Sequence, residues 1–170
     1  MGESSIEKFA DYVIKNKENH YRLAFSYVKN VEDALDVVQE SIYKAISTID
    51  TLKNPEYLKT WFYKILVNTS LDLLRKRKKL VAVDEETLLS FDSGTFDTCE
   101  DIDLHNALDN LPVPYRSVIV LRFFEDLKIE EIAVVLDENV NTIKTRLYKS
   151  LNLLRVEMND KGKEEDIHNG

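Results

Sequence analysis

The sequence is poor in residues that break helices and in residues that cross-link chains. Its 170 residues include four glycines, three prolines and one cysteine. A single cysteine, Cys99, cannot form a disulfide within the chain or build a cysteine-based metal site, which favours a reducing, cytosolic environment. The hydrophobic content of 44% indicates one packed domain or two small ones and excludes collagen-like and wholly disordered chains.

Long apolar runs and recognisable catalytic motifs are also missing. The longest apolar run, residues 132–136, is far shorter than the roughly 20 residues of a membrane-spanning helix. The polar, acidic residues 1–6 do not follow the pattern of an export or lipidation signal. We expect a cytoplasmic protein without membrane insertion. The three histidines are scattered, and we find neither a glycine-rich phosphate loop nor a nucleophile–base pair, so we predict no enzyme activity, cofactor or metal site.

Charge is unevenly distributed along the chain, whose net charge is -8. Residues 80–109 carry nine acidic and no basic residues, whereas residues 1–79 carry 14 basic and 11 acidic residues and end in the basic run 75–79. Small polar residues interrupt the acidic stretch, as is typical of a linker. We predict helical domains at 1–80 and 105–160, an acidic flexible linker at 81–104 with one short helical turn at most, and a polar, frayed tail at 161–170.

Apolar spacings of three and four predict three helices in the first block. The first reaches about residue 31, the second spans residues 33–49, and the third runs from about residue 55 to residue 79. The third is apolar nearly all round and should be mostly buried, with Trp61 in the core rather than stacked on a ligand. One polar line on it either contacts bases and phosphates or forms a solvated face with an Asp72–Arg75 ion pair. This line contains Lys64, Asn68, Asp72, Arg75 and Lys79.

Residues 129–149 predict a helix, a short turn and a second helix, the pattern of a helix-turn-helix. Asn141 or Thr142 is the predicted cap of the second helix. The outward face of that helix would meet base edges in the major groove, with Arg146 placed to reach phosphate. This face consists of Lys144, Thr145, Tyr148 and Lys149. A three-helix packing unit with a wet basic face is the alternative.

In their order and spacing, these segments resemble the extracytoplasmic-function (ECF) class of sigma-70 RNA polymerase sigma factors of bacteria. The resemblance is carried by Asp36-Val37-Val38-Gln39-Glu40, by Trp61-Phe62-Tyr63-Lys64-Ile65, by Leu121-Arg122-Phe123-Phe124 after Leu111-Pro112, and by Glu131-Ile132-Ala133 with Thr142-Ile143-Lys144-Thr145-Arg146-Leu147. It covers residues 21–155, and residues 21–28 and 41–66 are especially similar to the sigma-V group of Gram-positive bacteria. It implies an all-α fold in which a sigma region 2 bundle and a sigma region 4 helix-turn-helix are joined by the acidic linker.

The resemblance also implies binding sites. The residues that would bind the clamp helices of the largest subunit of core polymerase are Asp36, Val37, Gln39 and Glu40. Those that would take the minus-ten element, with a base flipped out of the stack, are Lys53, Asn54, Lys64, Asn68, Asp72 and Arg75. Those that would read the minus-thirty-five element are Thr142, Lys144, Thr145, Arg146, Tyr148 and Lys149. The linker would lie in the RNA channel of the polymerase and oppose DNA binding by the free factor.

The implied function is promoter-specific initiation in a cell-envelope or lysozyme stress response. The resemblance also implies an anti-sigma factor that holds the factor inactive. Such anti-sigma factors are usually membrane-anchored and would keep the factor at the inner face of the membrane.

Two features depart from the family. Asn141 stands where glycine is common and is expected to take the left-handed turn conformation. Lys144 and Lys149 stand where arginine is common. A stand-alone helix-turn-helix regulator and a helical adaptor that binds only proteins are the alternatives.

Overall fold

The computed structural model describes residues 4–83 and 99–168. Every regular element in these ranges is helical. The α-helices are α1 Ser5–Lys15, α2 Lys17–Val28, α3 Val31–Ser47, α4 Leu58–Val83, α5 Cys99–Asn110, α6 Val113–Ile119, α7 Ile129–Leu136 and α8 Val140–His168. The 3-10 helices Ile49–Thr51 and Pro55–Tyr57 lie between α3 and α4. The chain divides into two compact units, the first built mainly from α1–α4 and the second mainly from α5, α6, α7 through Ala133, and α8.

Caps explain why the first unit has more helices than the apolar spacing predicts. Ser4 and Glu7 form a reciprocal capping box at the start of α1. Lys29 ends α2 in the left-handed conformation, with φ 55°, and the Asn30 side chain accepts a hydrogen bond from the Asp33 amide at 3.0 Å. The single helix predicted through residue 31 is therefore wrong, since α1 ends at Lys15, α2 ends at Val28 and α3 already begins at Val31.

Aromatic side chains form much of the core of the first unit. Phe9 of α1 packs edge-on against Phe62 of α4 at 5.2 Å between ring centroids and against Trp61 at 6.2 Å. Ala45 and Ile49 complete this cluster. The predicted placement of Trp61 in the core is confirmed, because its ring packs against the cluster and is only partly exposed.

One histidine lies inside this aromatic core. The His20 side chain is fully buried, with its ring 4.7 Å from that of Phe62 and its Nε2 atom 3.2 Å from the Tyr12 hydroxyl. Among the described residues, its Nδ1 atom has no hydrogen-bond partner. Burial lowers the pKa of His20 to about 4, because the imidazolium form would lose its hydration. His20 is therefore neutral at physiological pH.

The second unit is held together by α5, α6 and α8. Its core cluster contains Ala107, Leu108, Leu111, Ile119 and Leu154. Helix α6 ends at Ile119. It continues as a π-helical segment, Val120–Phe124, in which the Glu125 amide donates to the Val120 carbonyl at 3.0 Å. π-Helical turns of this kind frequently occur at functional sites.

Helix extends further than predicted at both edges of the acidic segment and at the chain end. α4 continues to Val83 and α5 begins at Cys99, so residues 99–104 hold more than the single short turn expected there. Residues 84–98, the rest of the predicted flexible linker, lie outside the described residues. α8 runs through His168, so the predicted frayed tail at 161–170 is helical as far as that residue. No helix in the described part of the chain is both long and apolar enough to cross a membrane.

Candidate nucleic-acid and polymerase-binding surfaces

The helix-turn-helix is formed by α7, a three-residue turn and α8. Asp137 ends α7 in the left-handed conformation, with φ 55°. The Asn139 side chain then accepts a hydrogen bond from the Thr142 amide at 2.8 Å, which caps α8. The predicted caps Asn141 and Thr142 are therefore wrong, because α8 starts at Val140 and places both inside the helix. The left-handed position predicted for Asn141 belongs to Asp137 for the same reason.

The N-terminal half of α8 has one buried face and one exposed face. Ile143 is fully buried, and Leu147 packs against the core cluster of the second unit. The four residues of the predicted outward face, Lys144, Thr145, Tyr148 and Lys149, are all exposed, and Thr142 is partly buried. Tyr148 is 71% exposed. The structure therefore brings two ammonium groups, a hydroxyl and a phenol onto one accessible helix face, and their contact with DNA stays a prediction.

Arg146 points to the turn. Its Nη2 atom lies 3.1 Å from the Glu138 Oε1 atom, and its side chain is 26% exposed. The ion pair ties α8 back to the residue that precedes its cap. In the free protein the guanidinium that was predicted to reach phosphate is thus already occupied by a carboxylate.

The predicted polymerase-binding residues of α3 divide between surface and interior. Asp36, Gln39 and Glu40 are exposed, and Glu40 lies 3.5 Å from the Lys44 ammonium. Val37 is only 2% exposed. The prediction of Val37 as a surface contact is wrong. Its position on α3 faces the core, so its side chain is covered by the first unit itself.

The exposed side of α3 also carries large apolar side chains. Leu35 is 48% exposed, Ile46 45% and Tyr43 73%. These positions lie outside the inward stripe of α3, which consists of Ala34, Val37, Ser41 and Ala45. A sequence signal for them exists: α3 carries more apolar residues than one helix stripe can bury. The surface of α3 thus combines carboxylates with apolar side chains.

The predicted minus-ten residues lie on a loop and on one line of α4. Lys53 and Asn54 are exposed in the loop before α4, where the Asn54 side chain accepts a hydrogen bond from the Glu56 amide at 3.0 Å. On α4, Asn68, Asp72 and Arg75 are exposed and Lys64 is partly buried. The Asp72–Arg75 ion pair of the alternative interpretation is present at 3.1 Å. An exposed pair of this kind contributes less than about 1 kcal/mol, so it does not exclude contact with DNA.

The basic run at residues 75–79 is not a uniform patch. Arg75, Lys76, Lys78 and Lys79 are exposed. Arg77 instead donates from Nη1 to the Val28 carbonyl at 3.1 Å and forms an ion pair with Asp33. It therefore fastens α4 to the end of α2 and the first turn of α3, a contact that spacing along α4 gave no means to predict.

Replacing Arg77 by methionine is expected to lower the free energy of unfolding of the first unit by about 1–2 kcal/mol, because a charge-assisted bond is lost and Asp33 keeps an unpaired, partly buried charge. Trp61 lies in this unit and is the chain's single tryptophan, so urea unfolding followed by its fluorescence measures the change. Lys78→Met is the matched control, since Lys78 is an exposed cation on the next position. Equal stability of the two variants would show that Arg77 has no such role.

Comparison with known proteins matches both units. A family model described as Sigma-70 region 2 matches residues 13–80, and one described as Sigma-70, region 4 matches residues 101–154. RNA polymerase sigma factor SigV of Bacillus subtilis is 56% identical to the chain and the match covers 86% of this chain and 88% of that one. ECF RNA polymerase sigma factor SigW of the same organism is 31% identical, with 91% and 90% covered.

A solved structure shares the fold. The sigma factor RpoE of Bartonella quintana, crystallised with the anti-sigma factor NepR, aligns with a TM-score of 0.77 at 23% identity, covering 89% of this chain and 96% of that one. Taken with the two region models, the fold is that of a sigma-70 protein. The chain belongs to the extracytoplasmic-function group of sigma-70 RNA polymerase sigma factors. The predicted family and all-α fold are confirmed, and so is the absence of enzyme activity, since this family is not enzymatic.

Proposed function

We propose that the chain binds core RNA polymerase and directs it to promoters through separate contacts to the minus-ten and minus-thirty-five elements. The observation that carries this proposal is the presence of both region 2 and region 4 in one chain of a sigma-factor family. Membership of that family favours this function over a stand-alone regulator or a protein-only adaptor.

The exposed side of α3 supports the polymerase-binding part of the proposal. Asp36, Gln39 and Glu40 supply carboxylates and an amide, and Leu35 and Ile46 supply apolar area that is exposed in the free protein. Interfaces gain affinity where apolar side chains are covered and charges meet opposite charges. We propose that this surface binds the clamp helices of the largest polymerase subunit.

The outer face of α8 supports the minus-thirty-five part. Recognition helices of helix-turn-helix proteins contact base edges with their N-terminal residues. Lys144 and Lys149 can donate to guanine or phosphate. Thr145 can form a hydrogen bond with a base edge through its hydroxyl or pack its methyl group against that of thymine. Arg146 is paired with Glu138. To contact a phosphate, its guanidinium must either leave this carboxylate or bind the carboxylate and the phosphate together.

The loop before α4 and the exposed line of α4 support the minus-ten part. Asn68 offers an amide that can pair with a base edge, and Lys53 and Arg75 offer cations for phosphates. We propose that these residues, with Asn54, Lys64 and Asp72, hold the opened minus-ten strand. Extruding a base costs a few kcal/mol, which these contacts must offset.

An anti-sigma factor is the second proposed partner. The sigma factor RpoE was crystallised with the anti-sigma factor NepR. CnrH, whose fold is also similar to that of this chain, has a solved structure in complex with the cytosolic domain of CnrY. We propose that this chain is held inactive in the cytoplasm by a membrane-anchored anti-sigma factor and released during cell-envelope or lysozyme stress.

Charge reversal on α3 tests the polymerase contact. The double variant Asp36→Arg and Glu40→Arg is expected to lower affinity for purified bacterial core polymerase by about tenfold or more, because like charges placed in an interface repel. Glu18→Arg on α2 is the matched control, being an exposed carboxylate on another helix. Affinity is measured by fluorescence anisotropy of labelled chain. Unchanged affinity in the double variant would place the polymerase surface elsewhere.

In vitro transcription tests the function as a whole. Core polymerase is supplied with a pool of random-sequence DNA, with or without the chain, and the templates that yield transcripts are enriched and sequenced. We expect a shared pair of motifs upstream of the start sites only when the chain is present. Enrichment of the same sequences by core polymerase alone would refute the proposed function.

A further inference from the structure

Two carboxylates lie in the turn between α7 and α8. Asp137 and Glu138 are both exposed, and Asn139 follows them as the cap of α8. The Glu138 carboxylate reaches Arg146 of α8, with 3.1 Å between Oε1 and Nη2. Carboxylates repel DNA phosphates, so their position beside the helix proposed to contact DNA affects the strength of that contact.

Arg146 borders the exposed face of α8. It lies four residues after Thr142 and three residues before Lys149, spacings that place side chains next to each other on one side of a helix. The Arg146 side chain is 26% exposed and that of Glu138 37%, so a ligand can reach both members of the ion pair. Arg146 therefore belongs to the side of α8 proposed to contact DNA, although its guanidinium is directed at the turn.

Backbone hydrogen bonds fix the position of Glu138. Its amide donates to the Ala133 carbonyl of α7 at 3.0 Å, and the side chain of the next residue, Asn139, accepts from the Thr142 amide at 2.8 Å. Neither bond involves the Glu138 side chain, so both remain when its carboxylate is replaced. A negative charge close to the N-terminus of α8 is also favourable, which helps to hold this carboxylate near the helix.

A DNA phosphate and Glu138 would compete for Arg146. Both are anions that accept hydrogen bonds from the guanidinium N–H groups. If one guanidinium held both, the two negative charges would lie side by side and repel each other. Contact of Arg146 with a phosphate therefore requires that its ion pair with Glu138 be broken, and the free energy of that pair is lost from the free energy of DNA binding.

We propose that Glu138 competes with DNA phosphate for Arg146 and thereby lowers the affinity of α8 for DNA of any sequence. The inference rests on the proposed minus-thirty-five function and adds to it a residue that acts through Arg146. Phosphate contacts carry no sequence information, so the effect of Glu138 is the same on the promoter element and on unrelated duplex. Glu138 is thus a positioning residue, which keeps the guanidinium at the turn when no DNA is bound.

The variant Glu138→Gln, which keeps the size of the side chain and removes its charge, tests the inference in holoenzyme. Fluorescence anisotropy measures affinity for two short duplexes, one with a minus-thirty-five motif enriched in the transcription experiment and one of scrambled sequence. Affinity for both is expected to rise about three- to fivefold, the upper part of the range for partly exposed ion pairs. The slope of log affinity against log salt concentration should steepen by about 0.9, the value for one additional phosphate contact.

Asp137→Asn is the matched control. It removes the neighbouring exposed carboxylate of the same turn, and asparagine tolerates the left-handed conformation of this residue, whose φ is 55°. Arg146→Met, alone and combined with Glu138→Gln, completes a double-mutant cycle. Since Glu138 acts through Arg146, Glu138→Gln should give no gain in the Arg146→Met chain beyond that of Asp137→Asn.

Three results would overturn the inference. One is an affinity gain in Glu138→Gln no larger than that in Asp137→Asn. Another is a gain that persists in the Arg146→Met chain, because Glu138 would then repel DNA directly. The third is a gain confined to the motif duplex, because Glu138 would then act on base recognition. Failure of the unaltered holoenzyme to bind the motif duplex overturns the proposed function as well.

Discussion

Replacing Lys144 and Lys149 together by alanine is expected to weaken binding of the holoenzyme to the minus-thirty-five element by about 30-fold or more. Both ammonium groups lie on the exposed face of α8, and loss of a specific base contact costs about 1–3 kcal/mol. If both lysines contact phosphate, the slope of log affinity against log salt concentration falls by about 2. If they contact bases, discrimination between sequences falls instead and the slope changes less.

Fluorescence anisotropy with a duplex containing only the enriched minus-thirty-five motif, measured over a series of salt concentrations, gives both quantities. Lys128→Ala is the matched control, because Lys128 is an exposed cation of the same unit that precedes α7 and lies outside α8. Binding of core polymerase should be unchanged in either variant. An affinity loss no larger than that of Lys128→Ala would remove α8 from the DNA interface.

The free energy of unfolding of the first unit is expected to fall by about 2 kcal/mol between pH 7 and pH 5 because of His20. Its folded-state pKa is lowered to about 4, whereas in the unfolded chain it is near 6.5. Between these values the unfolded state binds a proton and the folded state does not, so stability is full above about pH 7 and declines as the pH falls. The total loss approaches about 3 kcal/mol near pH 4.

Urea unfolding followed by Trp61 fluorescence at several pH values measures this slope. His20→Gln removes the titrating group while keeping a polar side chain of similar size, so it should flatten the dependence between pH 7 and pH 5, above the range in which carboxylates titrate. The stability of this variant at pH 7 serves only as its own baseline. The comparison is between the pH dependences of the variant and of the unaltered chain. A slope equal to that of the unaltered chain would mean that His20 is not buried as a neutral group.

Apolar periodicity predicted the helical fold because it records which side of a helix is buried. It could not place the ends of helices, which depend on individual side-chain hydrogen bonds. Asn30 and Asn139 each accept an amide hydrogen bond and start a helix, and both were missed. Glycine is scarce, so Lys29, Asp126 and Asp137 adopt the left-handed conformation that glycine usually takes in turns. These residues do not mark such a turn in the sequence as a glycine would.

The candidate sites were predictable where they depend on helix faces. The exposed face of α8 follows from spacing alone, and so does the line on α4. Val37 and Arg77 were not predictable in this way. Val37 lies among the predicted polymerase-binding residues in the sequence but on the inward stripe of α3. Arg77 lies in a cationic run but pairs with Asp33, 44 positions earlier. Contacts between distant parts of the chain carry no local periodicity.

The most direct test of the central claim compares three reactions on one enriched promoter: the chain alone, core polymerase alone, and the two together. Footprinting reports sequence-specific binding, and mapping of transcript ends reports initiation. The account predicts protection of both promoter elements and a single start site only when the two are combined. Specific protection by the chain alone, unchanged by core polymerase and without a defined start site, would contradict it.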